Sequence, residues 1–597
     1  MRWVETSART WLLLFALLAA VAGGCRERAS AVSQKPTPAY GQGSLPLRHL
    51  LIESVAPRLA PPSESELGSY EVVAAGPKLD LRTPVKWPNA GERSWQFRVH
   101  AWQFLIPWLA GFEQNKNPEL LRASLKVALD WVQQHPEAKK KRGQFAWYDM
   151  SVASRAALLG YLVRAGGQAG LLTASDEAAL VKAAEVHGSY LRDGKNYYPR
   201  HNHGLFIDAG LLMLCQQLDQ LPDCKSWRRT AGERYGKTLT QTVAKSGPHL
   251  EHSPAYHFDV LELTERVLAV AGDRKVSALR DKMRAAAPWL VEPRGKLPML
   301  GDTHYIGAPE WAAQQAASLD GTRFFQDAGY FAVRTPSSQL LVSGGFHSSA
   351  HKHYDDLSFV LSERGRQVLI DPGYHSYGLD VEAKNLDDFL ESAAAHNSLV
   401  VDGKYTLPKP TGSSLLAAGA GAGWQASWGR SPDSSREHGA HERIWLYRPG
   451  QLLLLIDDVK GGTPGSHDMV RHFLFAPDLS LSKAPAGGML VRGPDFEGTL
   501  LDASQVDVSY DVVVGRKQPL AGFAAYRDSE LVACPSLTLT SKGEDALLLS
   551  VFELTASKKR QRYALRRSGA GFELTLGAEK LTLTRRDALI DVLEVKP

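Results

Sequence analysis

The 597-residue chain predicts a multidomain protein, all-α first and all-β second. Two observations carry this reading. From about residue 94 to 295, apolar residues recur three and four apart, the period of helices that bury one stripe. After about residue 320 the period falls to two, in short runs broken by Gly, Pro, Asp and Asn, as in an antiparallel β-sandwich. The composition, 44% hydrophobic and 22% charged, is that of a globular protein and excludes disorder, collagen and coiled coil as overall architectures.

The first 25 residues read as an export signal rather than as part of the fold. Arg2 and Arg9 make a weakly positive start, and Trp11–Val21 is an unbroken apolar run, too short to span a bilayer as a mature helix. Ala22-Gly23-Gly24 then leads to Cys25, which resembles a bacterial lipoprotein signal with Cys25 as the lipidated N-terminus. Ordinary secretion is the alternative. The expectation is an exported protein, periplasmic or anchored at the outer membrane of a Gram-negative bacterium, touching membrane only through a lipid anchor. Residues 26–45 are polar with scattered Pro and Gly, a flexible tether. An N-terminal segment follows at 46–90, then a helical domain at 91–320 and a β domain at 321–597.

Eight helices are expected in order: Trp95–Phe112, Pro118–Gln134, Asp149–Ala165, Ser175–Leu191, Gly204–Leu218, Trp227–Ala244, Tyr256–Ala271 and Val276–Leu290. Short Gly, Pro and Asn breaks between them suggest antiparallel hairpins, stacked as a bundle or closed into a ring. The expected strands include Gln339–Val342, Leu357–Leu361, Val368–Ile370, Ser398–Val401, Ile444–Tyr447, Leu452–Ile456, Leu547–Phe552, Arg562–Leu565 and Phe572–Leu576. Any cleft is expected between the two domains.

Sixty-nine basic against 64 acidic residues give a net charge of +5, too diffuse for a nucleic-acid binder but compatible with an anionic ligand in a locally basic cleft. Fourteen Trp, 19 Tyr and 19 Phe suit sugar platforms, although core packing is their default use. Beyond Cys25 only Cys215, Cys224 and Cys534 remain, too few for a disulfide framework. A Cys215–Cys224 pair across the turn at Leu221-Pro222-Asp223 and two buried free thiols are both open.

Four clusters are out of place as plain structure. His201-Asn202-His203-Gly204 precedes an apolar helix, where it could cap the helix or meet an anion. Glu251-His252-Ser253-Pro254-Ala255-Tyr256-His257 stands at another loop-to-helix junction, with Pro254 where a first turn tolerates it. His347, His351, His353, Asp355 and Asp356 crowd ahead of the strand at Leu357, and His351-x-His353 is expected to place both rings on one side of an extended chain. A turn at Glu363–Gln367 is expected to bring Asp371 back beside His353, and His396-Asn397-Ser398 precedes a further strand. His353, Asp371 and His396 form a nitrogen and carboxylate set that suits zinc with one position open.

In this order the clusters resemble the heparinase II/III family of polysaccharide lyases and the related alginate lyases, over roughly residues 90–460. The resemblance rests on Trp147-Tyr148-Asp149-Met150 with Arg155, Asn202-His203-Gly204, Ser253-Pro254-Ala255-Tyr256-His257, His351 to Phe359, Asp371-Pro372-Gly373, and His396 to Gly403. It implies an (α/α) toroid of helical hairpins followed by antiparallel β-sheets, with the active site between them. It further implies a zinc ion at His353, Asp371 and His396, of structural use. Tyr354 departs from the family pattern, which favours a small residue there. So does Leu205-Phe206-Ile207, where some members carry a functional Glu.

The implied chemistry is β-elimination on an anionic, 4-linked uronic-acid polysaccharide. A C–H beside a carboxylate is a weak acid, so the site must neutralise the carboxylate before the proton leaves. Asn202 and His203 are expected in that role, Tyr256 as the acid and, if deprotonated, as the base, and His203 or His351 as the alternative base. Tyr148, Arg155 and Arg200 are expected to grip substrate, although Arg155 could serve a salt bridge inside the helical domain. Two other readings stand beside this one. A uronyl C5-epimerase uses the same proton abstraction, and a surface glycan-binding lipoprotein uses the same fold without turnover. Hydrolysis by paired carboxylates is weaker, since no two obvious partners cluster.

Overall fold

The computed structural model describes residues 57–595 apart from 73–75, 140–143, 378–380, 408–409, 486, 556–560 and 570. The expected signal, Cys25, the tether and the start of the N-terminal segment lie outside the described residues.

The helical domain is built in two layers of hairpins. Asp149–Gln168 and Asn202–Gln217 are buried along nearly their whole length, and Pro254–Val270 along one broad face. Their partners Ala174–Arg192, Cys224–Thr242 and Arg274–Ala286 each bury a narrower stripe and leave the rest to solvent. The near-continuous apolar sequences therefore make an inner row and the amphipathic ones an outer row, as an (α/α) arrangement requires. Each inner helix packs on the next, Asp149–Gln168 on Asn202–Gln217 and that on Pro254–Val270.

Pro118–Gln134 has the bounds the sequence gives, because Asn117 caps it and Pro118 opens its first turn. Trp95–Phe112 is instead two helices, Arg93–His100 and Ile106–Asn115. Trp102 takes a left-handed φ of 60° between them, and Pro107 cannot donate into a continuous ladder. Cys215 and Cys224 form a disulfide with Cα atoms 5.3 Å apart, and Cys534 is a buried free thiol. The described part of the N-terminal segment packs on the helices. Leu79, Leu81 and Val85 enter the helical core, and the Val85 N–H donates to Asp130 Oδ2 at 3.2 Å.

The β domain holds three main sheets. A five-stranded antiparallel sheet orders Gly321–Phe325, Tyr330–Arg334, Gln339–Ser343, Ser358–Glu363 and Arg366–Leu369. A twelve-stranded sheet is antiparallel except where Leu415–Gly421 runs parallel to Leu589–Glu594. A four-stranded sheet ends in the short edge strand Leu399–Val401. The five-stranded sheet explains the interface between domains. Phe331, Val333, Leu340, Val342, Phe359 and Leu361 face the sandwich core. The alternate residues Tyr330, Ala332, Leu341 and Val360 face Ala244, Ala286 and Leu290 of the helical domain. Both faces of this sheet are apolar, so its strands read as unbroken hydrophobic runs.

Candidate active site

The N-termini of the three inner helices gather where the helical domain meets the β domain. Each start carries a sequence cluster. At the first, Asp149 opens its helix, and its Oδ2 lies 3.1 Å from His203 Nδ1. At the second, His201 is the cap: its Nδ1 accepts from the His203 N–H at 3.2 Å. Asn202 is buried beside it. Gly204 is required here, since a Cβ would sit 2.2 Å from the Tyr198 carbonyl oxygen. At the third, Ser253 caps the helix and accepts from the Tyr256 N–H at 3.4 Å.

Glu251 ties two of these starts to the β domain. Its Oε1 accepts from the Asn202 N–H at 2.8 Å, and its Oε2 lies 3.2 Å from His351 Nδ1. Burial alone raises this carboxyl, yet the His351 hydrogen bond and the rings of His249 and His201 draw it down to about 2. The His351 ring then stacks on Tyr256, centroids 3.5 Å apart and planes 13° from parallel. His201 and His203 meet edge to face at 4.5 Å, and Tyr148 meets His203 at 5.9 Å. Asn202, His203, Tyr256 and His351 are thus gathered in one place. The Asn202 amide oxygen has no hydrogen-bond partner among the described residues, and an amide can turn to present its N–H₂ to a carboxylate instead.

The Tyr256 hydroxyl is 2.9 Å from that of Tyr377, which donates to Asp302 Oδ2 at 2.7 Å. Burial pushes the Tyr256 phenol well above the ordinary tyrosine value, only partly opposed by the Tyr377 hydrogen bond. The group facing it through Tyr377 is a carboxylate. A phenol that holds its proton in this way suits the acid's part.

Tyr148 lines the cluster, and Arg200 is exposed at its rim with a left-handed φ of 58°. Arg155 is not at the site. It is fully buried in the helical core, donates to the carbonyls of His100 and Ala146 and to His187 Nε2, and stacks 4.0 Å from the Trp131 ring. Backbone oxygens and an indole, rather than a salt bridge, hold its charge. The expectation for His351-x-His353 also fails. The strand begins only at Ser358, and His351 has a φ of 53°, so the two rings part. His351 turns to Tyr256 and His353 turns inward.

His353, Asp371 and His396 are all buried and offer ligand atoms within 4.8 Å of one another. The turn at Arg364-Gly365, both residues at positive φ, returns the chain as expected and sets Asp371 beside His353. Their outer atoms are already used. His353 Nε2 lies 3.0 Å from Asp302 Oδ1, His396 Nδ1 lies 2.8 Å from the Ser392 carbonyl, and Asp371 Oδ1 accepts from the Gly373 N–H at 3.1 Å. What remains inward is His353 Nδ1, His396 Nε2 at 3.3 Å from it, and Asp371 Oδ2 with no hydrogen-bond partner. Two imidazole nitrogens and an orphaned carboxylate oxygen, each braced from behind, fit a small dication such as zinc.

Asp149 and Glu251 were visible within their motifs but had no assigned role, since a motif names the residues and not the ring each carboxylate will hold. Asp302 and Tyr377 lie in irregular segments without period or cap, and nothing in the sequence points to them.

The heparinase II/III N-terminus model matches residues 70–286, and the heparinase II/III-like C-terminal model matches residues 318–521. No curated protein matches the chain in sequence. Among solved structures, a heparan sulfate lyase, HepC, from Pedobacter heparinus is 14% identical with a TM-score of 0.65, over 89% of this chain and 88% of that one. A heparinase III crystal structure is 15% identical with a TM-score of 0.71, over 84% and 85%. Matched in both halves and alike in fold, the chain belongs to the heparinase II/III family and is a polysaccharide lyase.

Proposed function

We propose that the protein cleaves a 4-linked uronic-acid polysaccharide by β-elimination, with Asn202 and His203 neutralising the uronate carboxylate and Tyr256 protonating the leaving oxygen. The observation that carries this is the stacking of His351 on Tyr256 beside Asn202 and His203, an acid, two imidazoles and an amide at one seam. Proton loss from C5 builds negative charge on a group that is already an anion. A buried amide donor and an imidazole held by Asp149 offset that charge where water cannot screen it. The C5 proton goes to the His351 imidazole, and the C4–O bond breaks as Tyr256 gives its proton to the bridging oxygen. The products are a new reducing end and an unsaturated uronate.

The proteins of similar fold named as a heparan sulfate lyase and a heparinase III favour a sulfated glycosaminoglycan as the first polymer to test. In this reading His353, Asp371 and His396 hold zinc. When bound, it supplies a positive charge that cross-links three chain segments beneath the site. Cys25 carries a lipid anchor, and the protein works in the periplasm or at the outer membrane.

Incubation with a panel of uronic polymers is expected to raise the ultraviolet absorbance of the conjugated product for at least one of them. Tyr256→Phe is expected to abolish that rise while leaving circular dichroism unchanged. A Tyr256→Phe enzyme at full rate on the same polymer refutes the assignment. New chain ends without unsaturation refute elimination.

A further inference from the structure

Tyr256 is one end of a chain of side chains that crosses the domain interface. Its hydroxyl meets Tyr377 at 2.9 Å, Tyr377 meets Asp302 Oδ2 at 2.7 Å, and Asp302 Oδ1 meets His353 Nε2 at 3.0 Å. Each phenol has one proton to give. Tyr377 gives its proton to Asp302, so at the other bond the only available donor is Tyr256. The resting chain therefore has a single polarity, from Tyr256 to Tyr377 to Asp302.

The segment holding Asp302 is fastened to the start of the helix that bears Tyr256. Ser253, the cap of that helix, donates to the Asp302 carbonyl at 3.1 Å or shares a hydrogen bond with Thr303 Oγ1 at 2.7 Å. Gly301 takes a φ of 53°, and a Cβ there would lie 2.7 Å from the carbonyl oxygens of both His252 and His351. The spacing between Asp302 and Tyr256 is thus set by backbone contacts and not by flexible side chains alone.

We propose that Tyr377, oriented by Asp302, is a positioning residue that makes Tyr256 a usable acid. This rests on the reading of Tyr256 as the proton donor to the leaving oxygen. A buried phenol holds its proton tightly, which makes it a poor acid unless the phenolate it leaves behind is met by a donor. In the resting chain the Tyr377 oxygen accepts from Tyr256. With substrate bound, the Tyr256 O–H turns from Tyr377 to the leaving oxygen, and as its proton passes there the Tyr377 O–H turns from Asp302 to the new phenolate, 2.9 Å away, with no heavy atom moving. One proton leaves Tyr256, none leaves Tyr377, and the charge stays on the Tyr256 oxygen until a proton returns to it.

Tyr377→Phe removes the switchable hydroxyl and keeps the ring. It is expected to lower kcat by about 10- to 100-fold, the usual effect of losing one such donor or somewhat less, with KM within about twofold. Zinc content and melting temperature are expected to stay at wild-type values. Asp302→Asn, with its amide oxygen held by His353, presents N–H₂ to Tyr377 and reverses the chain. With the Tyr377 O–H already facing Tyr256, it is expected to keep kcat above that of Tyr377→Phe, and the double variant is expected to fall to the Tyr377→Phe value and no further. Wild-type kcat in Tyr377→Phe, with Tyr256→Phe inactive, overturns this proposal and leaves the lyase reading standing. So does a rise in KM that matches the fall in kcat, or losses that multiply in the double variant. Full activity in Tyr256→Phe removes the acid itself and with it the reading beneath.

Discussion

Two groups of histidines sit side by side, and they are built to opposite ends. His201, His203 and His351 gather at helix starts, partly open, with Asp149 and Glu251 at the outer nitrogens of His203 and His351. His353 and His396 are sealed with Asp371, their outer atoms engaged and three inner atoms turned on one another. His351 and His353 are two residues apart, so residue type and sequence neighbourhood do not separate them. The left-handed turn at His351 does, by sending one ring to the seam and the other into the β domain. An imidazole open to a substrate with a carboxylate behind it can exchange protons, whereas one walled in by neighbours can only bind.

The contrast can be broken most sharply at those two residues. His351→Ala is expected to lower kcat/KM by about 10²- to 10⁴-fold, the span of a lost general acid or base, with zinc content unchanged and a fall in melting temperature from the stranded Glu251 alone. If the melting temperature falls and turnover survives, His351 belongs with the sealed group. His353→Ala is expected to do the reverse at first hand. It strands Asp302 and Asp371 without a partner, costs about 3–5 kcal/mol of stability by calorimetry, and empties the zinc content. Unchanged stability would show that the sealed cluster holds nothing together.

A smaller effect distinguishes the groups by pH. Glu251 is held at about 2, below its unfolded value near 4.5. Its contribution to stability is complete above about 4.5 and is lost as the pH falls towards 2. His100 and His257, buried in the helical domain, are each lowered to about 3 from 6.5, by burial first. The unfolded chain takes up their protons first, so stability declines as the pH drops below about 6.5. Melting temperature plotted against pH is expected to begin falling near 6.5 and to steepen below 4.5. Glu251→Gln is expected to flatten only the lower part. A curve that steepens identically in that variant rules out the carboxylate as the source.

The two halves were not equally legible in the sequence. Helices with a cap and a clean stripe, such as Pro118–Gln134, were read to their ends, because Asn117 and Pro118 determine the start locally. Trp95–Phe112 reads as one helix because its apolar spacing continues across Trp102, and the break comes from the left-handed backbone of that buried residue together with Pro107. Asn202, His203, Tyr256 and His351 stand out in the sequence because they lie at caps and junctions where plain structure does not need them, and the structure brings them together. Arg155 in its motif leaves two readings open, a substrate contact and a partner inside the helical domain, and its buried backbone acceptors place it in the helical core. Asp302 and Tyr377 give no sign, since irregular chain brings them beside Tyr256.

The meeting of three helix N-termini has an electrostatic consequence. Each helix carries a partial charge of about +0.5 at its amino end, and here three such ends lie together. Oriented peptide groups therefore favour an anion at this place apart from any side chain, and that pull cannot be removed by changing a single residue. Association of an anionic ligand should slow with added salt even in a variant lacking Arg200.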